Sequence, residues 1–167
     1  MSAAEVVRRL VVGSRLSIAG TVYGTIVVLG AIATGAPHSS PAELAAIVAV
    51  LVLVLWVAHF YSHALGESID RGRRMDRHEL VSVARRELAI PLAAVAPIIA
   101  LVLGAAGVFR ESRAIWLAFG LGVLTLAIQG VRYARIERLG PVGTVISVTI
   151  NLAIGLAIGV LKVTVGH

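Results

Sequence analysis

The chain contains no cysteine, which excludes disulfides and thiolate metal sites and leaves the redox compartment unread. It is poor in charge: 14% of its 167 residues are Asp, Glu, Lys or Arg, where a soluble domain carries roughly 25%. Aromatic residues reach only 5%, and no clustered basic face with aromatic readers is present, so nucleic acid is excluded as a partner. The apolar runs are too long, and alternate too little, for the strands of a membrane β-barrel. Hydrophobic residues, by contrast, make up 58% of the chain, with a mean hydropathy of +0.94. The length suits a single domain.

A hydrocarbon core of about 30 Å takes roughly 20 helical residues to cross. Five segments of that order lie between the charges: Leu16–Thr34, Leu44–Ala64, Leu88–Phe109, Ala114–Tyr133 and Val142–Val163. None carries the charged face that a helix of a water-soluble bundle turns to solvent. The opening stretch "MSAAEVVRRLVVGSRLSIAG" has the basic flank of a secretory signal. Its apolar part is longer than a signal's apolar region, and four more such segments follow, so it reads as a first span that stays attached. The expected fold is therefore all-α: one polytopic domain over residues 1–167 with five transmembrane helices.

Arginine sets the expected orientation. Arg8, Arg9 and Arg15 precede the first span, and Arg71, Arg73, Arg74, Arg77, Arg85 and Arg86 lie between spans 2 and 3. Arg132, Arg135 and Arg138 lie between spans 4 and 5, leaving Arg110, Arg113 and Lys162 for the other side. The positive-inside rule puts the N-terminus in the cytoplasm and the C-terminus outside, in a multi-pass protein of the inner (plasma) membrane. The net charge of +6 then follows from topology and from anionic membrane lipid as partner. One loop is charged, 66–87, "GESIDRGRRMDRHELVSVARRE". Within it Leu80, Ala84 and Leu88 recur at i, i+4, i+8 with Val81 beside them, which predicts an amphipathic helix running into span 3. Such a face is either simply solvated or a surface for a partner or lipid.

Inside the spans, Gly20 and Gly24 form a small-xxx-small pair beside Ser17, Thr21 and Thr25, the pattern that lets membrane helices approach closely. Pro91 and Pro97 predict a kink in span 3. Gln129 lies between Thr125 and Arg132 on one face of span 4 and needs a partner, while Arg132 is expected to snorkel. Ser147, Asn151, Gly155 and Gly159 make a seam at i+4 spacing for a neighbouring span or a second subunit; a homodimer is the expected assembly, and Asn151 is alternatively part of a polar path. Lys162 and His167 are expected at the outer surface.

The stretch "HFYSHALGE" closes span 2, and on a helix His59, His63, Glu67 and Asp70 share one stripe at i, i+4, i+8, i+11. One reading is an interfacial belt, with Trp56, Phe60 and Tyr61 as anchors and the histidines bonded at the headgroups. The other is a cation or proton site, since neutral imidazole with carboxylates suits a divalent transition metal and ionisable groups in a membrane mark ion paths.

"SHALGE" (62–67) resembles the Ser-Met-Ala-x-Gly-Glu stretch that ends the second span of vacuolar iron transporter-like proteins, and "VYGTIVV" (22–28) is similar to their first-span pattern. The chain as a whole also resembles a set of small actinobacterial integral membrane proteins. The family resemblance implies five spans, a cytoplasmic N-terminus and a cytoplasmic insert after span 2. Gly66 and Glu67 fall on the family's Gly-Glu, and Gly24 on its first-span glycine. His63 stands where the family has a methionine on the metal path, Tyr23 where it has a membrane aspartate, and the insert is too short for its metal-binding region. The expected role is that of a transporter or channel for a small cation, a divalent metal or a proton, passing Tyr23, His59, His63 and Glu67, with Gly24, Gln129 and Asn151 as further path residues. No enzyme activity and no resident cofactor are expected, a divalent metal ion serving only as cargo. The alternative is a non-transporting scaffold working through residues 66–87.

Overall fold

The computed structural model describes residues 15–165, and for 15–17, 159 and 161–165 only their helical backbone. Arg8, Arg9 and His167 thus lie outside the described residues, as do the side-chain surroundings of Arg15, Ser17, Gly159 and Lys162. Six helices and no strand are found among the described residues: α1 (Arg15–Gly35), α2 (Pro41–Arg71), α3 (Arg77–Arg86), α4 (Ala89–Ala105), α5 (Glu111–Ile136) and α6 (Pro141–Val165). By length and composition α1, α2, α5 and α6 can each cross a membrane, and α3 with α4 forms a fifth candidate bent by 44°.

Local chemistry sets the boundaries. α2 starts at a capping box: the Ser40 hydroxyl accepts from the Glu43 amide, and the Glu43 carboxylate accepts from the Ser40 amide at 2.8 Å. Pro41 follows at the first turn, where its missing N–H is not needed. The helix ends at Gly72, whose φ of 63° is the left-handed cap that glycine adopts without strain. Asp76 and Glu79 repeat the box at the start of α3, with mutual bonds of 2.8 and 2.9 Å.

The amphipathic segment does not run on into the third span. Pro91 has no N–H for the Glu87 carbonyl, and its ring crowds that carbonyl. Glu87 O accepts instead from Ile90 N at 3.1 Å, and the chain turns at Glu87–Leu88. Leu80 and Ala84 are half-buried, while Val83 is the buried residue of this helix and Val81 is exposed. Pro97 sits fully buried inside α4, which continues through it.

α1 is the axis of the bundle and packs against α2, α4, α5 and α6. Val28, Leu29 and Ile32 of α1 meet Leu44, Val48 and Val52 of α2, Leu101 of α4 and Phe119 and Leu126 of α5 in one core. Small residues bring the backbones together. A Cβ on Gly24 would lie 2.7 Å from Ile90 O, and one on Gly130 2.9 Å from Val148 Cα. The Ser147–Asn151–Gly155 seam is spent within the chain: Ser147 Oγ donates to Gly130 O at 3.0 Å, and Gly155 packs on Leu126 and Val123. Of the two expected uses of this seam, the described residues show the neighbouring span. The outward faces are apolar, with Val142 72% and Val50 62% exposed, the surface of helices suited to lipid.

Candidate functional site

Ionisable and hydrogen-bonding groups gather at the arginine-rich end of the bundle. Four of them form a ladder. The Tyr23 ring of α1 lies 5.0 Å from the His59 ring of α2, and one turn on His63 lies 6.3 Å from His59, centroid to centroid. His63 Nε2 is 3.7 Å from Glu87 Oε1, and Arg86 Nε donates to that same oxygen at 3.4 Å. The i, i+4 spacing puts both imidazoles on one face of α2, and the α3–α4 bend lies where Glu87 meets His63. His59 Nδ1 lies 3.2 Å from the Leu55 carbonyl. A carbonyl only accepts, so the neutral ring holds its proton on Nδ1 and leaves Nε2 as the acceptor. Glu87 is 8% exposed. It is a buried carboxylate that the sequence hid in a charged run; its place on the inner side follows from the Pro91 bend.

Glu67 and Asp70 do not join the histidines. Glu67 accepts from Arg71 at 3.1 Å and from Arg86 at 2.9 Å. Arg71 and Arg73 also clamp Glu79, at 2.7 and 2.6 Å. Those guanidiniums, with the Asp76 amide, hold the Glu79 carboxyl at about 2, well below its ordinary value. Asp70 is exposed. The expected set His59, His63, Glu67 and Asp70 is thus not assembled, and no group of three or more His, Asp or Glu that could hold a metal ion occurs among the described residues. Arg71 and Arg86 take up Glu67, and Asp70 sits exposed away from the rings. Trp56, expected as a belt residue, donates from Nε1 to Ala84 O at 3.2 Å and pins α3 against α2.

Tyr23, Gln129 and Asn151 line one groove of about 490 Å³ between α1, α5 and α6, walled chiefly by apolar residues such as Val22 and Ile26. Gly24, placed with them by the sequence, faces α4 instead, because its missing side chain is what lets Ile90 approach. Gln129 is buried, and Arg132 donates to its Oε1 at 2.9 Å, so Arg132 is held by this bond where free snorkelling was expected. Asn151 Nδ2 donates to Ser147 O at 2.9 Å. Thr125 is turned to its own helix, donating to Leu121 O at 2.8 Å.

Tyr, His, His and Glu side chains can each give up and take a proton, but at these separations no hydrogen bond joins one to the next, so transfer along the ladder requires ring rotation or bridging water. It offers no closed shell to a metal. No family model, no curated protein and no solved structure matches this chain.

Proposed function

We propose that the protein is a multi-pass protein of the plasma membrane, with its arginine-rich end in the cytoplasm, that moves a small cation, and that the cargo is a proton. The observation that carries this is the Tyr23–His59–His63–Glu87 ladder, which joins the middle of α1 to the charged end through rings 5.0 and 6.3 Å apart and a 3.7 Å contact. Apolar helices long enough to cross a bilayer support the membrane setting. A proton is favoured over the divalent metal suggested by the vacuolar iron transporter-like resemblance because Glu67 is occupied by two arginines. The reading includes no enzyme activity and no resident cofactor.

A second reading has its own support. Beyond Tyr23 the bundle is closed by Val28, Leu29 and Ile32, all fully buried. A scaffold acting through the α2–α3 hairpin needs no path through that seal. Proton flux into liposomes holding the purified protein and an internal pH dye separates the two. Transport predicts an uptake above empty liposomes that His59→Ala removes while the protein stays folded. Uptake equal to that of empty liposomes, at any imposed pH gradient or potential, would leave the scaffold.

A further inference from the structure

We infer that the groove between α1, α5 and α6 is a binding site for a membrane-partitioning amphiphile whose uncharged head carries a hydrogen-bond acceptor and a donor side by side, as a primary carboxamide does. The argument rests on which way two amides must point. Arginine has only donors, so the Arg132 bond fixes Gln129 with its oxygen toward Arg132 and leaves its NH2 for the groove. A backbone carbonyl only accepts, so the bond to Ser147 O fixes Asn151 with its NH2 toward α6 and leaves its oxygen free. Gln129 is 5% exposed, so this donor cannot turn away to water. The groove thus presents one oriented donor and one oriented acceptor, with Tyr23, Tyr133 and Glu137 also in its lining and the remaining walls apolar. An NH2 and a carbonyl in a recess walled mainly by aliphatic side chains favour a ligand that satisfies both and has an apolar body, because leaving either unpaired out of water is unfavourable. The volume of about 490 Å³ is in the range of small-molecule sites.

The site shares Tyr23 with the proton ladder, but its donor and acceptor, Gln129 and Asn151, lie outside it, and it is tested by binding, without flux. Purified protein in phosphatidylcholine nanodiscs is dialysed against tritiated octanamide, with empty nanodiscs as the partition background. The expected result is saturable binding above that background. N,N-dimethyloctanamide, which keeps the acceptor and loses the donor, should compete about tenfold more weakly, and Gln129→Leu should weaken octanamide by a similar factor. Ala19 is exposed and lines the groove, so Ala19→Trp should fill it and abolish binding without lowering the melting temperature. The ligand series uses the unaltered protein, so the test stands even if Gln129→Leu fails to fold. Binding no greater than in empty nanodiscs, equal competition by the dimethyl compound, or full binding by folded Ala19→Trp would each overturn the assignment.

Discussion

Gly24→Ala tests whether close backbone approach holds the bundle together. A Cβ there would meet Ile90 O at 2.7 Å, Ile90 Cα at 3.1 Å and Ile90 C at 3.3 Å, all backbone atoms that no rotamer change can move. Restoring ordinary contact at 3.4 Å requires α1 and α4 to part locally by about 0.7 Å. Overpacking of this kind costs about 1–3 kcal/mol. Alanine also favours the helix over glycine by about 1 kcal/mol, so the net loss should be about 0–2 kcal/mol. Gly30 provides the control, since its Cβ would meet nothing within 4 Å. Gly30→Ala should therefore gain up to about 1 kcal/mol from propensity alone. The two variants should differ by about 1–3 kcal/mol in denaturant unfolding of the purified protein in mild detergent. Equal shifts for the two would mean that α1 and α4 are not in backbone contact, and the packing scheme would fail.

Three further outcomes follow from the α2–α3 region. Glu79 titrates at about 2 when its ion pairs are intact, below its ordinary value of 4.5; the pairs therefore support the hairpin above about 4.5 and are lost as the pH falls towards 2. Protection factors of the amides in residues 73–82, taken relative to the intrinsic exchange rate at each pH, should fall over that interval, and Glu79→Gln should show low protection already at neutral pH. Trp56→Phe keeps the ring but loses the bond to Ala84 O, and should lower the opening free energy of α3 by about 1 kcal/mol, read by exchange of the α3 amides. Pro91→Ala restores a donor for the Glu87 carbonyl, so spin labels at His78 and Ala100 should move apart as the 44° bend relaxes; an unchanged distance would place the cause of the bend elsewhere.

The helices were legible because long apolar runs leave little else to form, and because glycine and serine spacings mark where such helices touch. The extension of α2 to Arg71 and the separate α3 were legible in part: the Ser40–Glu43 and Asp76–Glu79 boxes and Gly72 are written in the chain. Two things were not. Periodicity places His59, His63 and Glu67 on one stripe but is silent on what lies opposite, and Arg71 and Arg86 decide the fate of Glu67. Nor can one helix report its neighbours, so Glu87 beside His63, and Gln129 and Asn151 around one groove, required the packed bundle. Nor could the contact of Gly24 with Ile90 be read, since a glycine on a path and a glycine under a neighbouring backbone look alike in sequence.

The central position of α1 bears on how the chain is made. α1 packs against four other helices, yet the last of them, α6, begins only at Pro141. At about 5–20 residues per second, the ribosome needs on the order of 5–20 s after finishing Gly35 to reach that point. During that interval α1 lacks its α6 neighbour, and Leu29, which lies against Gly122 and Gly155, lacks part of its socket. Assembly is therefore a late event in synthesis, and nascent chains stalled before Pro141 should remain open to proteolysis where the finished protein resists it.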